Sequence, residues 1–121
     1  MTSAETLPNA GRAVVPREKL EGYLLNRGHE VGRHKARVFG AALGIHRSDW
    51  RYLRDRISEG IVAAPVSAVR DTSWGRLYEV VVPIEGLNGR TRHVVTVWLV
   101  PSAGEPPRFV TGYVLEPPAR A

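Results

Sequence analysis

The residues whose types could do chemistry are concentrated between Arg27 and Arg56, around Gly28-His29-Glu30-Val31-Gly32-Arg33-His34-Lys35-Ala36-Arg37. Three of the four histidines, His29, His34 and His46, lie in this quarter of the chain, with eight Lys/Arg against three Asp/Glu. That local excess equals the formal net charge of the whole chain, +5, because residues 1–26 and 57–121 each sum to zero. A cationic, imidazole-bearing segment attached to a neutral remainder points to an anionic partner. Metal-free RNA cleavage needs a base for the 2′-hydroxyl proton, an acid for the leaving oxygen and cations on the phosphorane charge. Histidine suits the proton transfers because its unperturbed pKa lies near neutrality. His29 sits in a glycine-flanked loop that opens a helix, and Lys35 lies one turn into that helix, where an anion is already favoured.

Further along, Arg92, Thr96 and Trp98 share one face of a predicted strand, and Thr111 and Tyr113 share one face of another. Their hydroxyls and guanidinium could place a phosphate, and Trp98 could stack a base. The candidate catalytic set is therefore His29, Lys35, Arg92, Thr96, Thr111 and Tyr113. Arg33, His34, Arg37, Arg51, Arg54 and Trp98 are the candidates for holding nucleic acid. Each has a structural alternative. His29 could cap the helix or bond the backbone, Lys35, Arg51 and Arg54 could be solvated surface charges, and Trp98 and Tyr113 could serve sheet packing. No metal or cofactor site is expected: the histidines form no H-x-x-x-H pair, there are no cysteines, and no nucleotide-type phosphate loop is present.

These residues must be positioned by an α+β arrangement. Pro16 opens a short amphipathic helix over 16–25, with Leu20, Tyr23 and Leu24 on one face. A second helix is predicted over 34–43, closed by Gly44 as a left-handed terminator. A third starts at Ser48-Asp49, carries the stripe Trp50, Leu53 and Ile57, and ends at Gly60. The period then changes to that of strands. The predicted strands are 66–69, 76–84 (Tyr78, Val80, Val82 and Ile84 on one face), 90–100, and 108–115 (Phe109, Thr111, Tyr113 and Leu115 on one face). Asn88-Gly89 is the strongest short hairpin signal in the chain. Three N-terminal helices packed on a four-stranded antiparallel meander is the predicted fold. One domain over 14–116 is expected, between a flexible lead-in at 1–13 and a flexible tail at 117–121.

The 121 residues suffice for one core without staples. Arg outnumbers Lys fifteen to two. Arginine presents a planar fork suited to phosphate or carboxylate, although an Arg-rich codon bias would produce the same ratio without explaining the clustering. No apolar run approaches the roughly 18–20 residues that span a bilayer, and the first residues lack the layout of a signal peptide. A soluble, cytoplasmic chain is the expectation, and the lack of cysteine also permits delivery into another cell.

Gly28-His29-x-Val31-Gly32-x-His34-Lys35-Ala36-Arg37-Val38-Phe39, followed by Ala42-Leu43-Gly44, resembles a family of small bacterial domains of unknown function. The likeness continues through Tyr78, Pro83, Asn88-Gly89-Arg90, Trp98, Pro107-Arg108, Thr111 and Tyr113, and departs at Glu30, where that family usually has proline. Such domains occur alone and at the C-termini of phage head-morphogenesis proteins and polymorphic or contact-dependent toxins. Their layout is similar to the barnase, EndoU and colicin group of ribonucleases. The resemblance implies a toxin-type ribonuclease acting on RNA, neutralised by an acidic antitoxin- or immunity-type protein. The alternative is a non-catalytic protein- or nucleic-acid-binding module using the same basic cleft.

Overall fold

A computed structural model describes residues 5–116 of the chain. Pro16 lies just outside the first helix, whose α-helical turn α1 (Arg17–Lys19) widens at once into a π-helical segment, Leu20–Leu24. The widening is visible in the Leu25 N–H to Leu20 carbonyl bond of 2.8 Å, which spans five residues. Helix α2 (Arg33–Leu43) ends on Gly44 at φ 64°, the left-handed terminator that its sequence predicts. A 3₁₀ turn, Arg47–Asp49, leads into α3 (Trp50–Ala63).

Gly60 does not stop α3, contrary to expectation. The helix runs one turn further, and a Cβ at Gly60 would collide with the Val82 side chain, so the glycine serves close helix-to-sheet packing instead.

The strands are β1 (Val66–Thr72), β2 (Gly75–Glu85), β3 (Thr91–Val100) and β4 (Arg108–Val114), in the antiparallel order β1-β2-β3-β4. β2 and β3 pair without interruption from Arg76↔Val100 to Glu85↔Thr91. The Asn88-Gly89 turn between them has Gly89 at φ 82°, and the Asn88 amide donates to the Ala42 carbonyl at 3.2 Å, tying the hairpin to the end of α2.

The helices cover one face of this sheet. Leu20, Leu24, Phe39, Leu43, Leu53, Ile57 and Ile61 pack on Tyr78, Val80, Val82, Ile84, Val94, Trp98 and Phe109. Neither layer could bury its apolar face alone. Trp98 is wholly buried, edge-on to Phe109 with ring centroids 5.3 Å apart.

Two expectations change. β4 does not keep Phe109, Thr111, Tyr113 and Leu115 on one side. Thr111 pairs with Val97, but Trp98 pairs with Phe109, so the register slips by one residue in between. Phe109 therefore joins the core with Gly112 and Val114, Tyr113 is left exposed, and Thr111, half-buried beside the slip, reaches the helical layer.

The lead-in is also part of the fold from residue 5 onward. Thr6 bridges Pro65, Leu7 is buried, and Val14 bridges Arg108 in parallel. An apolar side chain and free β-strand edges at both ends of the sheet hold a segment whose composition reads as flexible. The expected tail at 117–121 lies outside the described residues.

Candidate functional site

Three side chains from distant parts of the chain meet at the β4 edge. Lys35 Nζ donates to Tyr23 Oη at 2.7 Å and to Thr111 Oγ1 at 3.1 Å, and the two hydroxyls lie 3.3 Å apart. The π-helical turn supplies Tyr23, the first turn of α2 supplies the half-buried Lys35, and β4 supplies Thr111 next to its register slip. The Lys35 ammonium also lies 5.1 Å from the centroid of the Tyr23 ring. Burial pushes the Tyr23 hydroxyl up. The hydrogen bonds with Lys35 and Thr111 and the charges of Lys35 and Lys19 together outweigh it, and hold the phenol below its ordinary 10.0.

His29 flanks this cluster without joining its hydrogen bonds. Its ring stands edge-on to Tyr23, centroids 5.1 Å apart. Its Nδ1 accepts the backbone N–H groups of Val31 and Gly32, both at 3.0 Å. Gly32 is required at that point, because a Cβ there would run into the Tyr23 carbonyl. His29 thus organises the loop that opens α2.

Of the remaining candidates, Thr96 and Trp98 are removed from any ligand. Both are fully buried, with Thr96 Oγ1 donating to the Val80 carbonyl at 2.7 Å and accepting Trp98 Nε1–H at 2.8 Å. The hydroxyl satisfies a buried indole, which is a packing role. Tyr113 is 40% exposed and pairs with Val95, on the sheet face away from Thr96. Arg92 does not reach the Lys35 cluster. Its guanidinium donates to the Leu115 carbonyl at 3.2 Å and lines a groove with His34, Arg37 and Arg90. Arg33 is exposed in the first turn of α2. Arg51 and Arg54 belong to a different surface, stacked on Trp50 at 4.6 and 5.3 Å from its ring centroid, with Arg17 at 4.8 Å.

Sequence reasoning missed Tyr23 as a polar participant, since its spacing with Leu20 and Leu24 reads as a core stripe. The available signal was chemical: a half-buried tyrosine hydroxyl needs a partner. Among the described residues no group of three His, Cys, Asp or Glu side chains is placed to hold a metal ion. Nor is any described helix long and apolar enough to cross a membrane.

Among solved structures, a chain from the contact-dependent growth inhibition toxin–immunity protein complex of Klebsiella pneumoniae 342 shares this fold. Its TM-score is 0.67 at 14% identity, covering 84% of this chain and 99% of that one. No curated protein matches the chain. The model of the family described as Domain of unknown function (DUF6883) matches residues 6–116, which spans the helices, all four strands and every residue of the Lys35 cluster, and the chain belongs to that family.

Proposed function

We propose that this chain is a toxin-type, metal-independent ribonuclease-like domain acting on RNA phosphodiesters. The observation that carries the reading is the Lys35–Tyr23–Thr111 triangle, an ammonium and two hydroxyls held together half-buried at the sheet edge, with a phenol of lowered proton affinity. Lys35 and Thr111 would bind the non-bridging oxygens of the scissile phosphate, where charge grows in the transition state. The RNA 2′-oxygen attacks phosphorus and its proton passes to water. The bond from phosphorus to the 5′-oxygen breaks, and Tyr23 gives that oxygen its proton. The resulting phenolate is stabilised by Lys35 and regains a proton from water. His29 keeps the loop on Tyr23. The fold likeness to a chain from a toxin–immunity complex supports a toxin-type role, and with the basic excess it supports an acidic neutralising partner.

The test is incubation of purified protein with tRNA and rRNA in EDTA. The wild type is expected to leave 2′,3′-cyclic phosphate ends, and Lys35→Ala to lower the rate by about 10²–10⁴. Intact RNA with the wild type would sink the enzymatic reading. If Lys35→Ala then only lowered the melting temperature, the triangle would be a clamp joining α2 to β4 in a non-catalytic binding module.

A further inference from the structure

We propose that the groove between α2 and the start of β3 is the track for single-stranded RNA beside the scissile phosphate, read through its backbone. This rests on the ribonuclease reading for its orientation and on independent geometry for its existence. The groove has a volume of about 460 Å³ and is lined by His34, Arg37, Arg90 and Arg92, with Glu116 at its margin. His34, Arg37 and Arg90 are exposed, and Arg92 is half-buried and steadied by its bond to the Leu115 carbonyl. Arg90 directly follows the Asn88-Gly89 turn.

Charge compensation separates this groove from four arginines that have carboxylate partners. Arg17, Arg54, Arg56 and Arg76 each pair with a carboxylate, at 2.8, 3.2, 2.8 and 2.7 Å. Among the described residues no ion pair engages Arg37, Arg90 or Arg92. Three guanidiniums against one lining carboxylate leave a concave surface short of negative charge.

The groove and the Lys35 cluster are both built on the N-terminal half of α2. On a helix, residues 34, 37, 38 and 41 share a face, and residue 35 lies about 100° around from 34. One turn of α2 thus presents Lys35 to Thr111 and His34 and Arg37 to the groove. A strand leaving Lys35 would run along α2 to reach the groove. The floor, Val38, Ala41 and Ala42, has no aromatic ring to stack a base, so the fit is to phosphates and sugars and should tolerate sequence changes.

The experiment measures binding of a labelled single-stranded RNA with 2′-O-methyl sugars, which cannot be cleaved, by anisotropy across a NaCl series. Arg37→Gln with Arg90→Gln is expected to reduce the slope of log affinity on log salt by about 1.4, near 0.7 for each lost phosphate contact. Glu116→Gln is expected to tighten binding. Arg70→Gln with Arg76→Gln, exposed on β1 and β2, should leave the slope in place. An equal loss of slope from that strand pair, or an unchanged slope in the groove variant, overturns the track. Retained RNA affinity with lost affinity for polyglutamate would make the groove a protein-docking surface and overturn it too. If the wild type binds RNA through the groove yet cleaves none, the ribonuclease reading fails and the track stands. If it cleaves and the groove variant keeps its slope, the reverse holds.

Discussion

Tyr23 is the residue on which the proposed chemistry turns, and its hydroxyl can be removed with little change of shape. Tyr23→Phe keeps the ring against His29 but deprives Lys35 of its 2.7 Å acceptor. RNA cleavage is expected to fall by about 10², the lower end for loss of a general acid. The sign of the pH dependence follows from the direction of the shift. An acid must hold its proton, and the Tyr23 phenol titrates below the ordinary 10.0. The wild-type rate should therefore decline on the alkaline side before an ordinary tyrosine would lose its proton, and the residual rate of Tyr23→Phe should lack that decline. Thr96 provides the contrasting case. Thr96→Val strands the Trp98 N–H and the Val80 carbonyl in the core, and is expected to cost about 1–3 kcal/mol in urea unfolding, with Thr96→Ser milder. Both threonines were legible as polar residues on strands. That Thr96 lies in the core while Thr111 meets Lys35 was not, because a buried hydroxyl between a carbonyl and an indole has the same one-letter code as a ligand.

At the level of elements, periodicity carried far and stopped at irregularities. The apolar stripes of α2 and α3, the alternation of β2 and the Asn-Gly hairpin are read directly from spacing. The register slip in β4 is not, because a one-residue bulge leaves composition untouched while taking Thr111 and Tyr113 out of the alternation that Phe109 begins. The π-helical turn is invisible for the same reason, although Gly22 inside it is a poor helix former. Gly60 was misread because a helix terminator and a close-packing glycine look alike in sequence. Gly60→Ala separates the two roles: a collision with Val82 should destabilise the protein by about 1–3 kcal/mol, where an exposed terminator of the same helix would show no such packing cost. Circular dichroism melts of this variant beside an exposed α3 control are the measurement.

Over the whole molecule, positive charge is gathered on the helical layer while the sheet half is neutral. Three guanidiniums around Trp50 and three more in the α2 groove repel one another without full compensation. Added salt should therefore raise the melting temperature, steeply at first and then level as the screening length falls to about 10 Å near 0.1 M. Sulfate should act more strongly than chloride. A flat response would mean that these cations are neutralised by partners within the fold.

The N-terminal segment has a mechanical meaning as well. The Val66 N–H is held by the Glu5 carbonyl at 2.7 Å, at the start of one edge strand, while Val14 exchanges 2.9 Å bonds with Pro107 and Phe109 at the other. Between them Leu7 is anchored in the core. The segment is a strap from one rim of the sheet to the other. A pull on the N-terminus would load the β1 rim first, then extract Leu7, and only afterwards strain the Val14 contact beside β4. The yielding order under force is thus written from β1 toward the Lys35 cluster, which would be disturbed late.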